Sequence, residues 1–138
     1  MLKQSKYPFW KTSVVVLSLL LTFVTIPHTL EDFALGEPAK NGVPAPLLAG
    51  IIAGLFALQA FALFDLGRDQ RRGYFINLGI GIFWPLAAGM AQLPVILTFQ
   101  PYRSGFISLH YVFGMIILGI LLFLASLLGL RTKPVLEK

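Results

Sequence analysis

Four long apolar stretches, separated by short segments rich in charge or proline, set the pattern of this chain. The first, centred on residues 12–26, follows three lysines and a cluster of aromatics; with its flanks it predicts a membrane span over about residues 11–30. The others predict spans at 47–66, 73–97 and 104–130. They leave an outer loop at 31–46, a cytoplasmic turn at 67–72 and a cytoplasmic tail at 131–138. Each run approaches or exceeds the ~20 residues that a bilayer requires, and none has the wide amphipathic stripe of a soluble bundle helix. The expected fold is therefore all-α: a single integral membrane domain over residues 1–138, with four transmembrane helices in an antiparallel bundle. A basic start followed by an apolar run is also the form of a signal peptide. The segment Pro27-His28-Thr29-Leu30-Glu31-Asp32 lacks a small-x-small cleavage site, so the run is read as a retained helix.

Proline punctuates these runs in interpretable ways. Pro44 and Pro46 suit the start of the second span, where no amide donor is needed. Pro85 lies inside the third and predicts a kink, because it removes a backbone bond and crowds the preceding turn. Small residues offer close approach between helices: Ala49, Gly50, Ala53, Gly54 and Ala57 in the second span, Gly81 and Gly89 in the third, Gly114 and Gly119 in the fourth. The Gly50-x-x-x-Gly54 pattern is assigned to contact between the second and third spans, with a homo-oligomer contact as the alternative.

Composition narrows the function classes. The chain of 138 residues is 57% apolar and 12% charged; soluble domains carry about 25% charged residues. A soluble enzyme is excluded, and there is no room for a second domain. With no cysteine, disulfide exchange, thiol nucleophiles, Cys-ligated zinc and Fe–S clusters are excluded as well.

The net charge of +5 arises from 11 Lys+Arg against 6 Asp+Glu, and its placement gives direction. Every basic residue except Lys40 and Arg103 falls before the first span, between the second and third, or after the fourth. The positive-inside rule then puts both termini in the cytoplasm, in the inner (plasma) membrane. The basic residues are retention signals and contacts for anionic headgroups of the lipid bilayer, so no nucleic-acid partner is implied.

Polar residues within spans are costly and are the first functional candidates. At 1.5 Å per helical residue, His28 lies roughly 25 Å beyond Lys11, Gln92 about 30 Å beyond Arg72, and His110 about 31 Å before Arg131. Glu31 and Asp32 fall close to the same level, rimmed by Gln100, Tyr102, Arg103 and Tyr111. Trp84 sits below them beside Pro85, and Gln59 near mid-membrane should bond to a neighbouring helix. Phe33 and Leu35, apolar residues within the polar outer loop, are candidates for a lid.

Three functions fit this outer cluster. One is a pocket between the first, third and fourth spans, formed by His28, Glu31, Asp32, Gln92, His110 and Trp84. It would take a hydrophobic or amphipathic small molecule such as a quinone or lipid. Another is a redox protein in which His28 and His110 bind b-type haem, or His28, Glu31 and His110 a divalent metal. The third is a structural subunit of a larger membrane complex, with no site of its own. No acidic residue lies mid-span, as a small four-helix proton-coupled exporter needs, and no phosphate loop, nucleophile elbow or zinc-protease motif names a reaction.

Overall fold

The computed structural model describes residues 8–99 and 101–132. Lys3, Lys6, Tyr7, Gln100, Lys133 and Lys138, expected from sequence at anchoring or rim positions, lie outside the described residues. All regular structure among the described residues is helical: α1 (Pro8–Ala34), α2 (Glu37–Lys40), α3 (Ala45–Gly67), α4 (Arg71–Ile96) and α5 (Phe106–Arg131). Four of these, α1, α3, α4 and α5, are long and apolar enough to cross a membrane. A helix is what such runs must form in lipid, because it satisfies every backbone donor and acceptor within the segment.

The helix ends differ from the expected ones where polar residues find distant partners. α1 does not stop near residue 30; it passes through Pro27 and carries Glu31 and Asp32 in its last turns. The Thr25 and Thr29 hydroxyls donate to carbonyls one turn back, at 2.6 and 2.8 Å, and so cover polar groups on either side of the proline. The chain then turns at Gly36 (φ +69°), a left-handed position that glycine adopts without strain. The connection between α1 and α3 is thereby reduced to one turn of helix, α2, and a short segment. Its buried residue is Pro38, while Leu35 is exposed and Phe33 only half-buried, so Leu35 does not form a lid. The turn between α3 and α4 is residues 68–70, fastened by Arg72 to the buried Asp65 (2.6 Å) and by Lys11 to Asp69 (3.0 Å).

α5 packs against both α4 and α1, whereas α3 lies on α4 and touches α1 along few residues. The α4–α5 contact is the closest. A Cβ on Gly81 would stand 2.6 Å from the Phe123 backbone nitrogen, and one on Gly119 2.3 Å from the Pro85 ring. α4 runs on through Pro85 without a break, its ring occupying the space that Gly119 leaves. The small face expected to join α3 to α4 does not do so: nothing stands within 4 Å of a Cβ placed on Gly50 or Gly54. Those helices meet instead at Gly73, against the Ala62 carbonyl. This unequal packing leaves space between α1 and α3.

Candidate functional site

The end of α1 farthest from Lys11 carries a cluster of charged and polar groups. Asp32 accepts a hydrogen bond from Arg103, whose second guanidinium nitrogen lies 3.8 Å from Glu37. The Arg103 side chain is 9% exposed, so it serves the interior of this cluster rather than its rim. Arg103 has φ +41°, a strained setting for a residue with a Cβ. Glu31, on the preceding position of α1, accepts the Ser108 hydroxyl of α5 instead. The two adjacent carboxylates thus tie α1 to the 101–105 connection and to α5.

Tyr102 is buried, and its phenol donates to Gln92 Oε1 on α4. Burial pushes its ionisation up to about 12; the Arg103 charge opposes that shift, and the Asp32, Glu31 and Glu37 carboxylates add to it. Tyr102 at this end is therefore a neutral donor.

His28 is buried, with Nε2 3.7 Å from Asp32 Oδ2 and Nδ1 without a hydrogen-bond partner. His110 is differently placed. It is exposed on α5, its Nδ1 lies 2.8 Å from the Phe106 carbonyl one turn back, and its ring stands edge-on to Phe106.

Two adjoining cavities open between α1, α3 and α4. The more polar, about 390 Å³, is lined by Asp32, Glu37, Asn41, Gln92, Tyr102 and Arg103 among others. The other, about 220 Å³, is mainly apolar, with Ile51, Ile52 and Leu55 from α3 facing Phe83, Trp84 and Ala88 from α4. His28 lines it from α1. Asp32, Leu48, Ala91 and Gln92 line both. The space lies between the first, second and third spans, not the first, third and fourth, because α5 packs closely against α1 and α4 while α3 does not pack closely against α1.

Of the residues singled out from sequence, His28, Asp32, Gln92 and Trp84 line these cavities. Glu31 and His110 line neither, so His28 and His110 do not share a cavity. Among the described residues no three His, Asp or Glu side chains are placed to share a metal ion, which separates the set His28, Glu31 and His110. Arg103, Glu37 and Asn41 are central to the polar cavity. The sequence signal for Arg103 was its isolation: with Lys40 it is one of the basic residues at the end otherwise poor in them. Comparison with protein-family models, curated proteins and solved structures finds no match to the chain.

Proposed function

We propose that the chain is a multi-pass protein of the inner (plasma) membrane that holds a hydrophobic or amphipathic small molecule, such as a quinone or a lipid, in the cleft between α1, α3 and α4. The observation that carries this reading is the pairing of an apolar cavity with a polar one that shares its wall. An amphipathic molecule needs that sequence of surfaces: apolar walls for its body and a few fixed polar groups for its head.

The spans form an antiparallel bundle with both termini cytoplasmic, and the cleft faces the outer leaflet. This orientation rests on the charge asymmetry and on two contacts at the basic end. Lys11 of α1 meets Asp69 beyond α3, and Arg71 of α4 donates to the Leu130 carbonyl of α5 at 2.6 Å. The open small-residue face of α3, at Gly50 and Gly54, is the surface available to a second copy or to a larger membrane complex.

The test is retention of a small molecule by the full chain, purified in mild detergent and analysed by native mass spectrometry, with a decyl-substituted benzoquinone and a short-chain phospholipid as added probes. Ala91 lines both cavities and is exposed, so Ala91→Phe plugs the cleft without crowding the core. Wild type should carry or take up a probe, and Ala91→Phe should not. A wild-type chain that binds neither probe would overturn the reading. A Soret band from the same preparation would instead return b-type haem, with His28 as a ligand.

A further inference from the structure

The basic residues at the end of the bundle opposite the cleft differ in how they are matched. Lys11 pairs with Asp69 at 3.0 Å, and Arg72 holds the buried Asp65 through Nε at 2.6 Å and Nη2 at 3.1 Å. Arg71 donates to the Leu130 carbonyl. Arg68 is exposed, and no hydrogen bond or ion pair among the described residues engages its guanidinium. These four basic residues meet two carboxylates, Asp65 and Asp69, so this end of α3 and α4 carries a surplus of positive charge.

Arg68 is nevertheless held in place. Its guanidinium carbon stands 5.4 Å from the Phe64 ring centroid, and that of Arg72 stands 4.7 Å from the Phe61 centroid. A ring attracts the cation through its face but supplies no oxygen acceptor, so the Arg68 donors remain for an anion. Arg131, exposed at the end of α5, has no such ring among the described residues.

What lies along α3 from Arg68 suits one kind of anion. Ala57, Phe61, Phe64 and Arg68 follow at spacings of four, three and four residues, which sets them on one face of the helix. All four are exposed, on the least covered of the four spans. Arg68 lies eleven residues beyond Ala57, about 16 Å along the axis. That matches one leaflet, half of a ~30 Å hydrocarbon core. A soluble anion would use the arginine and leave the apolar strip bare. A phospholipid uses both, with its phosphate at the charge and an acyl chain along the rings. The charge of the headgroup matters too. A zwitterionic head brings its own cation to an end already in positive surplus, whereas an anionic head reduces that surplus.

We infer that this face of α3 binds one anionic phospholipid of the adjoining leaflet, its phosphate on Arg68 and a chain against Phe64, Phe61 and Ala57. The site is separate from the cleft and does not depend on the cleft's ligand.

The experiment titrates the full chain in mild detergent with dioleoyl phosphatidylglycerol or dioleoyl phosphatidylcholine and reads bound lipid by native mass spectrometry. The two lipids share acyl chains and differ in headgroup charge. The parent should bind phosphatidylglycerol about tenfold more tightly. Arg68→Gln should erase that preference, lowering phosphatidylglycerol affinity about tenfold. Phe64→Ala keeps the charge but frees the guanidinium, and should weaken binding about threefold. Arg131→Gln removes the same charge from the same end and should change affinity less than about twofold. Ala91→Phe, which plugs the cleft, should leave the preference intact. Equal binding of the two lipids by the parent overturns the inference. A loss in Arg131→Gln as large as in Arg68→Gln overturns it as well, leaving only general attraction to the basic end. Loss of phosphatidylglycerol in Ala91→Phe moves the lipid to the cleft and overturns the α3 site. Uptake of neither lipid overturns it too, and a dimer mass in that case gives the face to a second copy.

Discussion

Gln59 reaches from α3 to α1 and donates through Nε2 to both the carbonyl and the hydroxyl of Ser18, at 2.9 and 2.8 Å. Both residues are buried, and α1 and α3 otherwise touch little. This polar clamp therefore sets how far α3 stands from α1 below the cleft. Interhelical hydrogen bonds in membranes contribute about 0.6 to 2 kcal/mol. Gln59→Leu should lower stability by about 1 kcal/mol, read as an earlier midpoint in reversible SDS unfolding. Ser18→Ala should cost less, because the carbonyl acceptor remains. An unshifted midpoint for Gln59→Leu would mean that α3 is held by its contact with α4 alone.

The glycines divide sharply by position. At Gly81 a new side chain would collide with the backbone of α5, which cannot yield without separating the helices. Gly81→Leu should therefore abolish the folded, monodisperse protein. Gly54→Leu meets nothing within 4 Å and should leave the unfolding midpoint of a single chain unchanged. If copies associate through this face, crosslinking in membranes will drop in Gly54→Leu.

The spans were legible because hydropathy over ~20 residues needs no knowledge of tertiary contacts. The ends of the helices were less so. Glu31 and Asp32 belong to α1 because Ser108 and Arg103, more than 70 residues away in sequence, receive them, and no local pattern carries that information. Depth counting brought His28, Asp32 and Gln92 to one level, and they do line one cleft. Depth says nothing of azimuth, however. His110 lies two residues beyond the buried Ser108, about 200° around the helix, and is exposed. Small-residue patterns were legible in part. Gly81 and Gly119, singled out from the sequence, are close contacts, whereas Gly50 and Gly54, which match the motif best, meet nothing, and Gly73 and Gly129 pack closely without belonging to any such pattern.

Tyr102 gives the site a signature at high pH. Its phenol ionises near 12 in the folded chain, against an ordinary value of 10.0, chiefly because it is buried. A group whose folded value is raised holds its proton more tightly when folded. Its contribution is complete below about pH 10 and is lost as the pH climbs through about 12. Tyr102→Phe should remove the late step from the phenolate absorbance titration and flatten the stability loss over that window. A titration in which the mutation removes an early-ionising phenol would show that Tyr102 is solvated.

Arg103 and Asp32 are the remaining test, because they hold the polar cavity's wall together. Arg103 keeps a left-handed backbone (φ +41°) while its guanidinium spans Asp32 and Glu37. That backbone setting is unfavourable for any residue but glycine, so the side-chain contacts must hold it. Arg103→Ala loses those contacts and leaves Asp32 without its guanidinium partner, while Glu37 keeps Lys40 at 3.0 Å, and should cost about 2 kcal/mol. Arg103→Gly loses the same contacts but relieves the backbone, and should be about 1 kcal/mol less damaging. In a double-mutant cycle Arg103→Ala and Asp32→Ala should couple by about 1–3 kcal/mol. The coupling should also resist added salt, since Arg103 is largely shielded from solvent. Simple additivity of the two substitutions would show that the ion pair does not hold the connection.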